Sequence, residues 1–145
     1  MNEIAFVIAP TEYGVGLADG VEPVVDGISV VDLFRHVDGR RASYASLRDI
    51  EASLRSWTPT EEERDIRVLG CGCGDPDCSS VLARLVADAE TVVWSTFWAS
   101  SPPSDRPEGR DYPEIGPFRF DRLAYETALA HPRRATAAPR EPHDI

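Results

Sequence analysis

Ser80-Val81-Leu82-Ala83-Arg84-Leu85-Val86-Ala87-Asp88-Ala89-Glu90-Thr91-Val92-Val93-Trp94-Ser95-Thr96-Phe97-Trp98 is the stretch on which the fold turns. Its first half is ambiguous. Val81, Leu82, Leu85 and Val86 fit one face of a helix, and Ala83 and Leu85 against Arg84 also fit strand alternation. The second half decides the matter. Thr91 to Trp98 is dense in β-branched and aromatic residues that pack on a pleated surface and crowd a helical turn. The expected reading is a hairpin, with strands Ser80 to Ala87 and Thr91 to Trp98 around a turn at Asp88 to Glu90. Period-two alternation then puts Trp94 and Trp98 on one face and Phe97 on the other.

Immediately before this hairpin lies Cys71-Gly72-Cys73-Gly74-Asp75-Pro76-Asp77-Cys78, which holds all three cysteines of the chain. Its glycines, proline and aspartates make a tight turn, fed by a strand from Arg67 to Cys71.

Working towards the N-terminus, Glu61-Glu62-Glu63-Arg64-Asp65 is a solvated connector in which Thr60 and Glu63 have capping-box spacing. Leu47, Ile50, Leu54 and Trp57 repeat at helical spacing, with Ser46 or Ser43 as the cap and Pro59 as the stop. Val30, Leu33, Phe34 and Val37 form one face of an earlier helix, from Ser29 to Gly39. Asp26-Gly27 is a hairpin turn after a strand from Glu22 to Val25. Ile4 to Ile8 is a first strand, ended by Pro10.

Towards the C-terminus, Ala99 to Gly116 is one long irregular segment interrupted by Pro102, Pro103, Pro107 and Pro113. A loop of that length is a place to look for a binding edge. Phe118 to Phe120 is a short strand. Asp121 caps a closing helix whose face carries Ala124, Tyr125, Ala128 and Leu129, and Pro132 ends it. Residues 131–145 are expected to be a disordered tail, so the globular domain is residues 1–130.

The expected fold is α+β: one domain with an antiparallel sheet of four to six strands, two N-terminal helices and one C-terminal helix. Trp94, Phe97, Phe118, Phe120, Leu33, Phe34, Leu54 and Leu129 are the candidate core.

Composition bounds the function. The 145 residues are 42% hydrophobic and 28% charged, which suits a globular domain. A net charge of −10 argues against nucleic acid, whose phosphates need a basic face; it leaves open a basic protein as partner, and an acidic surface also serves solubility. No stretch is long and apolar enough for a membrane helix. Met1 to Pro10 carries Glu3 and no Lys or Arg, unlike the basic start of a secretory signal, so the expected location is cytoplasmic. Thiols stay reduced there, and three cysteines are then no disulfide framework.

Leu69-Gly70-Cys71-Gly72-Cys73-Gly74, Asp77-Cys78, Val93-Trp94-Ser95-Thr96-Phe97 and Gly116-Pro117-Phe118-Arg119-Phe120-Asp121-Arg122 with Tyr125 resemble, in this order, a group of uncharacterised small bacterial proteins. That group has a Gly-Cys-x-Cys-Gly turn, a Trp-containing strand and a Phe-Asp-Arg-x-x-Tyr helix start. The resemblance spans roughly residues 69–129. It implies that the cysteine turn and the C-terminal helix belong to one domain, and it brings no activity with it.

The cysteines admit three readings. As buried or half-buried thiols they behave as small hydrophobes in a glycine-rich corner. As metal ligands, Cys71, Cys73 and Cys78 have a spacing that can wrap one zinc ion, with the fourth ligand undefined. His36, His131 and His143 are all remote in sequence, and an adjacent carboxylate, Asp75 or Asp77, would make an unusual fourth ligand. Redox chemistry needs neighbouring cations, whereas the flanking Asp75 and Asp77 are anions. No P-loop, Gly-x-Gly-x-x-Gly, Gly-x-Ser-x-Gly or His-Glu-x-x-His motif is present. The sequence therefore favours a small acidic cytosolic accessory or protein-binding module without catalysis, of which an inhibitor or immunity-type partner of a basic protein is one form. No cofactor is expected in that case. The alternative is a metal- or thiol-dependent enzyme centred on Cys71, Cys73 and Cys78, with zinc as the metal.

Overall fold

A computed structural model describes residues 1–38, 44–74, 79–100 and 110–135. The chain runs β1 (Ile4–Tyr13), β2 (Gly16–Val25), β3 (Ile28–Ser29), α1 (Val30–Asp38), β4 (Tyr44–Ala45), α2 (Ile50–Ser56), β5 (Arg64–Cys71), β6 (Ser80–Ala87), β7 (Thr91–Ser100), β8 (Arg110–Asp111), β9 (Phe118–Asp121), α3 (Arg122–Ala130) and β10 (Arg133–Arg134). These elements form a single α+β domain. In place of one sheet of four to six strands there are two, ordered β10-β1-β2-β3 and β4-β5-β6-β7-β8, with β9 also beside β7. Pairing is antiparallel except where β10 runs parallel to β1.

The two sheets meet at two isolated bridges. Val21 of β2 and Leu47 exchange both backbone hydrogen bonds at 2.9 Å. At the other end the Asn2 amide donates to the Arg119 carbonyl at 2.7 Å, and the Asn2 side-chain oxygen accepts from the Arg119 N–H at 2.8 Å. Joined at both ends, the strands curl around a shared core. A curled arrangement leaves few open edges, the usual liability of short sheets.

The hairpin of β6 and β7 forms as expected, with Leu85 opposite Trp94 and Ala87 opposite Val92. Its facing pattern does not. A register shift lies between Leu82 and Arg84, and Thr96 opposite it has φ of 54°. This bulge adds a residue to β7 and inverts the alternation after it. Trp94 and Phe97 therefore both point inward, at 0% and 2% exposure, while Trp98 is only half-buried. A second bulge between Arg67 and Leu69 lets the adjacent Val68 and Leu69 both be buried.

The core has two aromatic groups. Phe6 stacks on Trp57 at 5.1 Å and meets Tyr125 edge-on at 5.7 Å, while Trp94 meets Phe120 edge-on at 5.6 Å. Phe34, Phe97 and Tyr112 form the other, with Tyr44 against Phe34. Of the candidate core, Trp94, Phe97, Phe34 and Phe120 are buried, and Leu33, Leu54, Phe118 and Leu129 pack partly buried against them.

Several expected boundaries move. β1 continues through Pro10 to Tyr13, and β2 begins at Gly16, so Gly14, Gly16 and Gly20 belong to one long hairpin. α2 begins at Ile50 with Asp49 as its cap, because Leu47 leaves the helix pattern to bridge Val21. No helical turn forms at Thr60 to Glu63, where Thr60 bonds to Glu62 and Arg64 instead. Arg133 and Arg134, expected within the tail, pair with Val7 and Ile8 of β1, and the Ala135 N–H donates to the Ile8 carbonyl. Residues 136–145 lie outside the described residues. So do residues 101–109 of the supposed long loop; beyond them Arg110–Asp111 pair with β7, and Tyr112 and Ile115 enter the core.

Candidate functional site

The segment from Tyr44 to Arg48 pairs with β5 for two residues, Tyr44 with Cys71 and Ala45 with Gly70. It then turns away so that Leu47 can pair with Val21 of β2. Upstream of Gly70, β5 thus loses a neighbour on this side. The Arg67 carbonyl takes the Trp57 indole N–H at 2.8 Å instead. The splay opens a cleft of about 430 Å³ between β5, the start of β6 and the start of α2. That volume lies within the range of small-molecule sites.

Tyr13 closes one end. Its hydroxyl donates to the Ser46 carbonyl at 2.7 Å. Burial pushes its pKa up to about 12, against smaller opposing effects from Thr11 and from the Arg48 guanidinium, which lies 5.5 Å from the ring centre. The phenol is therefore neutral at ordinary pH. Arg48 also donates to the Gly74 carbonyl at 3.2 Å. Asp49 accepts from the Ala52 N–H at 3.3 Å and caps α2.

The cysteine turn is the adjoining wall, with Gly74 against Tyr13 and Arg48. The Gly74 N–H donates to the Cys71 carbonyl at 3.1 Å, closing a tight turn, and Gly74 has φ of 86°. The tip of the first hairpin holds this turn from behind, with the Gly14 N–H donating to the Gly72 carbonyl at 2.9 Å. Cys71 and Cys73 are half-buried, and Cys71 lines the cleft. The Cys73 N–H points at the Cys71 sulfur at 3.4 Å. Ser53 and Ser80 complete the lining. Both residues are buried, and neither hydroxyl makes a hydrogen bond among the described residues.

Of the expected metal ligands, Cys71 and Cys73 share one turn, and Cys78, with Asp75 and Asp77, lies outside the described residues. Among the described residues no three His, Cys, Asp or Glu side chains gather as a metal would need. His36 is exposed on α1 and does not line the cleft, and His131 lines a separate groove between β1 and α3. His143 is outside the described residues. Arg48, Arg67, Ser53 and Ser80 were invisible as a set from the sequence. They come from α2, β5, β6 and the connection before α2, and no spacing rule links them. No protein-family model, curated protein or solved structure matches the chain.

Proposed function

We propose that the protein is a non-catalytic accessory module that works by binding. One observation carries this reading: three of the ionisable groups around the cleft, Tyr13, Asp49 and Arg48, already hold the architecture. The Tyr13 hydroxyl ties Ser46, Asp49 caps α2, and Arg48 holds the Gly74 carbonyl. A general acid or base must be within reach of substrate and suitably protonated, and a phenol with a pKa pushed up to about 12 is a poor one near neutrality. The net charge of −10 favours a basic protein as partner, since opposite fields speed encounter. Exposed Glu61, Glu62 and Glu63 on the connector before β5 are the densest acidic run among the described residues. The test is affinity capture from the source lysate with the wild-type chain and with E61Q/E62Q/E63Q. Recovery of a stoichiometric basic protein that the triple variant retains poorly is expected. No stoichiometric basic partner, or equal retention by both chains, overturns the reading.

A second reading is zinc held by Cys71, Cys73 and Cys78. The Cys73 N–H directed at the Cys71 sulfur favours it, because ligating sulfurs are commonly oriented and tuned by such contacts. Metal analysis of protein purified without chelator decides it. Near one equivalent of zinc, lost in Cys73→Ser, supports the metal; less than about a tenth of an equivalent, with unchanged stability in the variant, sinks it.

A further inference from the structure

The cleft contains a feature that the basic-partner reading does not use. Among the described residues, Arg84, Arg122 and Arg134 each hold a carboxylate. Arg48 and Arg67 both line the cleft, and neither forms an ion pair there. In a chain with 25 acids and 15 Lys and Arg, these two guanidinium groups face one cavity and neither is paired with a carboxylate among the described residues. Asp49 is the one acid in the lining among the described residues, and its side chain caps α2.

The hydroxyls beside them point the same way. Ser53 and Ser80 are 7% and 5% exposed, yet their hydroxyls have no partner among the described residues. A polar group in a buried residue is normally hydrogen-bonded, and one that opens into a cavity is available to whatever fills it. Two guanidinium donors and two hydroxyl donors are the chemistry that recognises a phosphate or a carboxylate. A neutral apolar ligand would leave the two serine hydroxyls without a partner, at a cost for each.

We propose that this cleft is a binding subsite for a small anion, a phosphate or carboxylate group held by Arg48 and Arg67 with Ser53 and Ser80. Arg48 is already oriented by the Gly74 carbonyl and the Tyr13 ring, so little of its side-chain freedom is lost on binding. Arg67 is exposed and supplies the adjustable arm. The subsite does not depend on the protein partner, and either can fail without the other.

The test is an amide NMR titration at constant ionic strength, with inorganic phosphate in one arm and succinate in the other. Saturable shifts confined to residues 46–53, 67–74 and 79–80 are expected in at least one arm, and the arm that saturates tells phosphate from carboxylate recognition. Arg67→Gln removes one charge-assisted interaction and should weaken binding roughly tenfold or more, with the spectrum elsewhere unchanged. Arg67→Lys should fall between the two, and Ser80→Ala should weaken binding several-fold. Non-saturating shifts in both arms overturn the proposal, as does an Arg67→Gln chain that titrates like the wild type.

Discussion

The Tyr13 hydroxyl and the Ser46 carbonyl, 2.7 Å apart, tie the long N-terminal hairpin to the wall of the cleft. Gly20, on the neighbouring strand, makes room for this bond. A Cβ added there would lie 2.2 Å from the Tyr13 oxygen and 2.7 Å from the Ser46 Cβ. Neither distance is tolerable, and Ser46 is fixed between Ala45, paired with Gly70, and Leu47, bridged to Val21. Gly20→Ala should therefore destabilise the fold by more than Tyr13→Phe. The latter removes one buried hydrogen bond, worth about 1–3 kcal/mol when the partner is left unsatisfied. Urea unfolding of the two variants checks the order, and a Gly20→Ala chain as stable as the wild type would contradict the geometry.

Tyr13 also sets a pH limit. Its pKa rises in the folded state to about 12 from an ordinary value of 10.0, chiefly through burial. Between those values the unfolded chain has released the proton that the folded chain retains. Stability from this group is complete below pH 10 and falls as pH rises towards 12. Tyr125 shifts in the same direction through burial and adds to the loss over the alkaline range. Thermal unfolding from pH 8 to 12 should show Tm falling above pH 10. In Tyr13→Phe the fall should be shallower, and an unchanged slope there would assign the effect elsewhere.

The bulge in β7 makes a third prediction. Thr96 has φ of 54°, a region that costs a β-branched residue on the order of 1–2 kcal/mol. Thr96→Gly should be neutral or stabilising by up to about 1 kcal/mol, because relief of the strain offsets the flexibility of glycine in the unfolded chain. Thr91→Gly, at the first residue of the same strand, should destabilise by about 0.5–1 kcal/mol or more, since the Thr91 hydroxyl also donates to Asp88 at 3.1 Å. The opposite sign at Thr96 would mean that β7 has no bulge there. Phe97→Ala should cost about 3–5 kcal/mol as a core truncation, and Trp98→Ala clearly less.

The same bulge marks where sequence reading stops. Strand content, the β6–β7 hairpin, the Asp26-Gly27 turn and the Asp121 cap rest on local chemistry, and all were legible. Alternation cannot foresee an inserted residue, so Phe97 and Trp98 were assigned to the wrong faces. Leu47 was assigned to a helix by its spacing from Ile50 and Leu54, whereas a bridge to Val21 claims it, and no local signal carries that pairing. That bridge opens the cleft, so the site was hidden for the same reason. The cysteine turn stood out in the sequence, but the arginines and serines that share its cavity are brought together only by the curl of the sheet.

Asp121 offers a modest test of a feature the sequence did carry. Its carboxylate accepts from the Ala124 N–H at 2.9 Å at the start of α3. Replacement by Ala should cost about 1 kcal/mol, and by Asn much less, since the amide oxygen can accept the same bond. Chemical denaturation of both variants measures the difference. Equal losses would mean that charge at the helix start, and not the hydrogen bond, is what matters.

Tyr125 is the most demanding position in the core. Its hydroxyl donates to the Trp57 carbonyl at 2.7 Å and accepts from the Trp94 indole N–H at 3.2 Å. The ring is fully buried and meets Phe6 and Trp94 edge-on. Tyr125→Phe keeps the ring and leaves a buried carbonyl and a buried indole N–H without partners. At about 1–3 kcal/mol for each stranded group, it should cost more than Tyr13→Phe, which strands only one. Trp57 also holds the Arg67 carbonyl on the floor of the cleft. Loss of the Tyr125 bond should therefore loosen Trp57 and perturb the Arg67 amide signal from a distance. If Tyr125→Phe lowers stability without moving that signal, the core and the cleft are mechanically separate, and Trp57 does not connect them.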